Sequence, residues 1–327
     1  MLAHFSNRET WTVLNLKLEE ALGMDAPRSS LKLYQGLHHA LMEVVMGLAK
    51  QFPFKKDIYY WKGIDPFLEP VAMALAREGY KVTPLNLEQI TNPDSWMNTL
   101  PKDTLMVILP EDDPLLGKLH PIQAVTEKLK DQKIFSVKLA HHAFHYRPWP
   151  TTLNKFQVEI YAINSHLTLA FLGERARFGD WMSEGLIWKG DEVEVIKKLR
   201  PEKTIDANKI TAFEKSLAPD FTPLFKTEDR LLDRAVFYRE DMDGLALIES
   251  LAELLKTELL PPGEETRFET PSLSRWGGLR TMDWLKAFSL TPNQIRGLVI
   301  LSSDLINPDL RSLLSKAKDE VLKRQGS

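Results

Sequence analysis

After Gly36, apolar residues recur at three- and four-residue spacing, at Leu37, Leu41, Val44, Val45 and Leu48, which predicts an amphipathic helix. Shorter runs that are apolar throughout alternate with such stretches. Ile58–Trp61, Thr104–Leu109, Ile134–Val137 and Val158–Ile163 read as strands covered on both faces. A helix from about Phe67, with Val71 and Leu75 inward, ends at Gly79, and the next strand begins at Tyr80. Pro110 stops the strand before it, and Pro121 opens a helix carrying Ile122, Val125 and Leu129 on one face. Strands and helices in alternation predict an α/β domain with a mostly parallel sheet, placed at residues 31–225. Ahead of it, residues 11–22 carry a patchy helical signal and Pro27–Ser30 read as a linker. Residues 1–30 are therefore expected to form an N-terminal helix and linker packed on a second, smaller domain.

That second domain is placed at 226–327. Ala235–Tyr238 and Ile295–Leu301 read as strands, and Leu245, Ile248, Leu251, Leu254 and Leu255 mark a long helix broken at Pro261-Pro262-Gly263. A final helix carries Leu310, Leu313, Leu314 and Leu322, Trp276-Gly277-Gly278 reads as a turn, and Trp284 reads as core. Without βαβ order, these elements predict an α+β unit.

Composition narrows the function by exclusion. The 327 residues carry a formal net charge of −3, so no electrostatic case exists for nucleic acid or an anionic membrane as partner. The absence of cysteine removes disulfides, thiolate metal sites and thiol nucleophiles. No apolar run is long enough to span a bilayer, and the first residues lack a signal-peptide pattern, so the expected location is cytoplasmic. His141-His142-x-x-His145 and the later His166 invite a metal reading, but no carboxylate with ligand spacing accompanies them and no metal is expected. No Gly-x-Ser-x-Gly elbow supports serine hydrolysis.

Several short blocks then fall into one order. Tyr34-Gln35-Gly36-Leu37-His38-His39-Ala40 opens a helix, whose N-terminal amides attract phosphate. Pro110-Glu111-Asp112-Asp113-Pro114-Leu115-Leu116-Gly117 follows a strand, Ser136-Val137-Lys138-Leu139-Ala140-His141 ends another, and Asn164 to Arg175 comes after a third. Together, over most of the chain from about residue 31, these blocks resemble the fold-type I pyridoxal-phosphate (PLP) enzymes of the aminotransferase class. The resemblance implies a PLP-transferase-like large domain and a smaller α+β domain, usually in a homodimer. It also assigns roles: Gly36, Leu37 and His38 at the phosphate helix, Asp113 at the ring-hydroxyl asparagine, Lys138 at the ring-nitrogen aspartate, His141 facing the ring oxygen, Asn164 and Arg175 on the phosphate, and Arg296 on a substrate carboxylate. The ring-stacking aromatic, expected near Asp65-Pro66-Phe67, has no clear counterpart. Only 35 residues precede Gly36, which implies a shortened active-site cover relative to the family.

The departures carry the functional argument. The family's Schiff-base lysine stands eight residues before its phosphate arginine, and that position here is Leu167. No lysine occurs anywhere from 156 to 188, so sliding the alignment restores none. Leu37 replaces a hydroxyl donor, and Asp113 when ionised has no amide hydrogen to donate. Lys138 replaces a carboxylate, and two like charges about 4 Å apart cost roughly 4 kcal/mol at an effective dielectric of 20. No catalytic residue is therefore assigned. The chain is expected to be a pseudoenzyme that binds a small anionic ligand or a protein partner, without covalent PLP and with only weak PLP binding. The alternatives are an enzyme with altered chemistry, using Lys138 as its Schiff-base amine, and one half of a heterodimer with a catalytic relative.

Overall fold

A computed structural model describes residues 29–34, 36–61, 68–113, 115–141, 153–162, 168–176, 207–224, 234–256, 268–270, 285 and 289–325. The chain divides into two compact units, residues 1–112 with 120–204 and residues 113–119 with 205–327. This division lies upstream of the expected boundary at 225.

The first unit is built on a seven-stranded sheet. Its strands are β1 (Ser29–Tyr34), β2 (Asp57–Trp61), β3 (Lys81–Leu85), β4 (Thr104–Pro110), β5 (Phe135–Ala140), β6 (Gln157–Ala162) and β7 (Thr168–Gly173), in the spatial order β1-β7-β6-β5-β4-β2-β3. β2 to β6 pair in parallel, and β7 alone is antiparallel to both its neighbours, β6 and β1. Helices α1 (Leu37–Gln51) and α2 (Leu68–Arg77) cover one face, and α3 (Leu87–Thr91), α4 (Asp94–Met97) and α5 (Gln123–Asp131) the other. The alternation is visible within single strands. Ile58, Ile108, Val137, Ile160 and Ala170 join the α1 side, whereas Trp61, Val107 and Leu109 join the α5 side. The outer strand β3 carries exposed Lys81 and Pro84, both of which discourage pairing with a further strand.

Two expectations change here. Ser29 and Ser30, read as linker, start β1, whose backbone pairs with Gly173 and Leu172 of β7. Two serines carry no strand signal by themselves; the paired strand supplies their backbone partners. Pro110, read as a strand terminator, is the last residue of β4 and pairs with Leu139. The N-terminal helix at 11–22, the break at 261–263, the turn at 276–278 and Trp284 lie outside the described residues.

The second unit has a four-stranded antiparallel sheet in the order β10-β11-β9-β8, with β8 (Thr222–Pro223), β9 (Arg234–Tyr238), β10 (Phe268–Glu269) and β11 (Leu298–Ser302). On one face Ala235, Phe237, Val299 and Leu301 pack with helices α6 (Ala207–Ser216), α7 (Gly244–Leu255) and α9 (Leu310–Gln325). On the other, Val236, Leu298 and Ile300 pack with Leu115 and Leu116. Ile210 and Phe213 of α6 are part of this core, which is why residues from 205 onward belong with this unit.

Candidate functional site

Strand direction decides which candidate residues meet. In the first unit, the carboxyl ends of β2, β4, β5 and β6 lie on one sheet edge, and antiparallel β7 brings its first residue, Thr168, to that same edge. Tyr34, the last residue of β1, is the register partner of Thr168, and α1 starts three residues later. The carboxyl edge thus gathers Tyr34, Gly36, the first turn of α1, Trp61, Glu111, Asp112, His120, His141 and Thr168. Strand ends of this kind, where connecting segments leave the sheet, are the usual ligand-binding edge of α/β folds.

The α1 N-terminus is the first component. Gly36 sits at φ 82°, and among the described residues no side chain caps the helix there. Glycine at the N-cap costs only a few tenths of a kcal/mol against a capping side chain. Burial outweighs it, since Leu41, Val44, Val45 and Leu48 are all solvent-inaccessible and each contributes about 1.5–3 kcal/mol. The helix is held by its apolar face, so its first amides are not needed for internal capping. Leu37 is buried in the same core, and His38 is exposed. Thr168 is the second component. It shares a face of β7 with Ala170 and Leu172, both in the core that includes α1, and its hydroxyl is buried with no hydrogen-bond partner among the described residues.

Lys138 lies on the other face of the sheet, since its strand neighbours Val137 and Leu139 pack on the α1 side. Its ammonium lies 2.6 Å from Oε1 of Glu159, its register partner on β6. The same carboxylate accepts from Gln157 Nε2 and the Tyr161 hydroxyl, so Lys138 is neutralised within a satisfied network rather than left as a bare positive charge. Glu159 reads as an unremarkable strand residue in the sequence; only its register beside Lys138 reveals it. His141 is buried, and its backbone N–H donates to Asp112 Oδ1 at 2.8 Å. The His120 ring meets the Trp61 ring edge-on at 4.3 Å between centroids, with both side chains buried. Nearby, burial and donation to Glu69 push the Tyr60 hydroxyl up to about 12.

Other candidates do not join this edge. Arg175 is the clearest correction. It lies two residues past the end of β7, donates its backbone N–H to Lys155 O at 3.0 Å and accepts at its carbonyl from Gln51 Nε2 at 3.0 Å. Gln51 is the final residue of α1, whose 15 residues span about 22 Å. Arg175 therefore stands at the amino edge, a helix length from Gly36, and the expected Gly36–Arg175 phosphate corner does not form. An eight-residue spacing in sequence crosses the whole sheet when six of those residues are extended at about 3.3 Å each.

Asp113 belongs to the second unit, where Oδ1 accepts from the backbone N–H of Leu115 (2.9 Å) and of Leu116, making a turn that closes on Gly117 at φ 66°. Its carboxylate shapes that turn. Arg296 was expected within a strand, but it is the last residue of a short helix, α8 (Pro292–Arg296), and donates to Glu240 O at 3.3 Å. Thr291 and Gln294 cap that helix reciprocally with Pro292 at its start, a signal that overrides the apolar run beyond. Asn164, Leu167, Asp65–Phe67, His142, His145 and His166 lie outside the described residues. No metal-holding group of His, Asp and Glu occurs among the described residues, and none of their helices is long and apolar enough to cross a membrane.

With this topology in view, comparison with known proteins is informative for the fold. No protein-family model and no curated protein matches the sequence. Solved structures do. A NifS-like protein superposes with a TM-score of 0.70 at 12% identity, covering 94% of this chain and 88% of its own. A cysteine desulfurase from Thermococcus onnurineus NA1 gives 0.66 at 10% identity, covering 99% and 88%. A phosphoserine aminotransferase from Cytophaga hutchinsonii gives 0.61 at 10% identity, covering 98% and 91%. The fold is that of the fold-type I PLP-dependent transferases.

The residues present do not fit covalently held PLP. By the family resemblance the lysine position would be Leu167; among the described residues, Lys138, where the resemblance expects a ring-nitrogen carboxylate, is paired with Glu159, and Arg175 stands at the amino edge.

Proposed function

We propose that this chain is a pseudoenzyme on a PLP-transferase scaffold, one that binds a small anionic ligand or a protein partner and performs no transamination. The observation that carries the reading is the engagement of Lys138 by Glu159, in a chain with no lysine between 156 and 188. Transamination needs an amine that forms an imine and an acid that protonates the ring nitrogen. The chain offers neither at the positions where its fold would use them. The carboxyl edge keeps features that need no lysine: a helix N-terminus with no side-chain cap among the described residues, and the buried hydroxyl of Thr168, register partner of Tyr34.

Absorbance after adding PLP to the purified protein tests this. The expected spectrum is that of free cofactor, with no imine band and no borohydride-trapped adduct. Transamination activity would refute the pseudoenzyme reading, and an adduct mapped to Lys138 would establish the altered-chemistry alternative. The proposed assembly is a homodimer in the cytoplasm, by analogy with the fold. Light scattering of the chain alone is expected to return twice the monomer mass; a monomer that doubles only on mixing with a catalytic relative would favour the heterodimer.

A further inference from the structure

Strand direction also shapes the amino edge of the seven-stranded sheet. There each parallel strand begins at, or within two residues of, an exposed lysine: Lys56 before β2, Lys81 at the start of β3, Lys102 before β4, Lys133 before β5 and Lys155 before β6. Antiparallel β7 ends at the same edge, and exposed Arg175 follows two residues later. Neighbours in this row are joined through the backbone. Lys81 N–H donates to Lys56 O at 2.9 Å, and Arg175 N–H to Lys155 O at 3.0 Å. In spatial order the cations run Arg175, Lys155, Lys133, Lys102, Lys56, Lys81, which at about 4.8 Å per strand covers roughly 24 Å. We propose that this row, together with Phe54 beside it, is a docking surface for an anionic lipid bilayer.

The row is short of counter-ions. Among the described residues only Lys81 of the row is ion-paired, 3.2 Å from the buried carboxylate of Asp57. Exposed Glu78, Asp103, Asp131 and Glu174 share the edge, but none of them forms an ion pair with the row among the described residues. Lys50, Arg77 and Lys130 add to the positive side from the last turns of α1, α2 and α5, where the helix dipole accounts for them. The strand-start lysines lie outside those turns, and like charges set at strand spacing repel one another. The formal net charge of −3 argues against an anionic partner for the chain as a whole. These lysines lie far apart in sequence, however, and only the parallel pairing of the strands collects them.

Phe54 and Met73 are the exposed large apolar side chains among the described residues, and Phe54 is 92% exposed. Local structure holds it out. Phe52 O accepts from Lys55 N–H at 3.0 Å, closing a β-turn with Pro53 at its second position, where the fixed φ suits the turn. The Phe52 ring is anchored on Phe135, 5.3 Å between centroids. Phe54 thus projects from a fixed turn, two residues from Lys56, instead of folding back onto the apolar surface. The other aromatics of the edge select the occupant. Single-stranded nucleic acid stacks its bases on open aromatic faces. Here the ammonium groups of Lys56 and Lys155 stand over the Tyr80 and Phe156 rings, 4.5 and 5.9 Å from their centroids. A cationic row with one projecting apolar ring matches a bilayer surface instead: anionic headgroups attract the lysines, and the ring enters the acyl boundary.

Co-sedimentation of the full chain with vesicles tests this surface, using phosphatidylcholine alone and phosphatidylcholine with about 30% phosphatidylserine. The protein is expected to bind the anionic vesicles and not the neutral ones, with a roughly tenfold loss of affinity between about 0.1 and 0.5 M NaCl. Lys133→Glu combined with Lys155→Glu should weaken binding about tenfold or more, and Phe54→Ser about tenfold. All three positions are exposed, so the variants should keep the wild-type fold, which circular dichroism checks. Absence of binding to the anionic vesicles overturns the proposal, as does binding that neither variant weakens. Tighter binding of a thymine-only DNA strand or of polyglutamate than of the vesicles, lost in the lysine variant, also overturns it and assigns the row to a nucleic acid or an acidic protein.

Discussion

Replacing Glu159 with glutamine is expected to lower the unfolding free energy by about 3 kcal/mol, because it strands the Lys138 ammonium in a largely buried position. The side chains of Lys138 and Glu159 are 18% and 9% exposed, and their 2.6 Å contact is reinforced by Gln157 and Tyr161 on the same carboxylate. Breaking one partner of such a pair costs more than the pair contributes, since the survivor keeps its desolvation penalty without its counter-ion. The paired replacement Lys138→Met with Glu159→Leu should therefore recover most of the loss, which a single-site packing defect would not allow. Urea unfolding of the wild type, the Glu159→Gln variant and the Lys138→Met/Glu159→Leu variant measures this directly. A Glu159→Gln protein within about 0.5 kcal/mol of wild type would show the pair to behave as an exposed surface bridge. The variant also bears on function, because it removes the partner that holds the Lys138 amine. If any lysine of this chain acquires imine chemistry with PLP, the Glu159→Gln protein is where it should appear.

Alanine at Gly173 should cost about 2–3 kcal/mol, in the range of severe overpacking. An added Cβ would overlap the backbone carbonyl of Asn154 and crowd those of Lys155 and Gln157. Backbone has no rotamer in which to retreat, so the start of β6 and the end of β7 would have to separate. The backbone bonds from Ala176 N to Gly173 O and from Arg175 N to Lys155 O would be disturbed together. Thermal and urea unfolding against the wild type check the prediction; an unchanged midpoint would mean that the β6–β7 junction is looser than its geometry indicates. The expected loss is local to the amino edge.

Much of the fold is legible in the residues because two different periodicities write it. Leu37, Leu41, Val44, Val45 and Leu48 repeat with the helix, and each is buried in α1. The continuous run from Thr104 to Leu109 announces a strand covered on both faces, and β4 is buried along its length. Where reading failed, a local signal lost to a partner or a cap. Ser29 and Ser30 became strand because β7 offers them backbone partners, and Ile295-Arg296 became helix because Thr291 and Gln294 close a capping box.

The candidate site was legible in its losses more than in its construction. That no lysine lies near Leu167 is a property of composition over a window, and no folding detail alters it. The sequence alone thus determined the fold class, the order of the elements and the absence of any lysine from 156 to 188. The tertiary structure decided which side chains share an edge. It carried Arg175 a helix length away from Gly36, set Glu159 against Lys138, and paired Thr168 with Tyr34, three residues before α1. The physical reason is that linear spacing carries no strand direction: one antiparallel strand, β7, places neighbours in sequence at opposite ends of the sheet and joins residues more than a hundred positions apart.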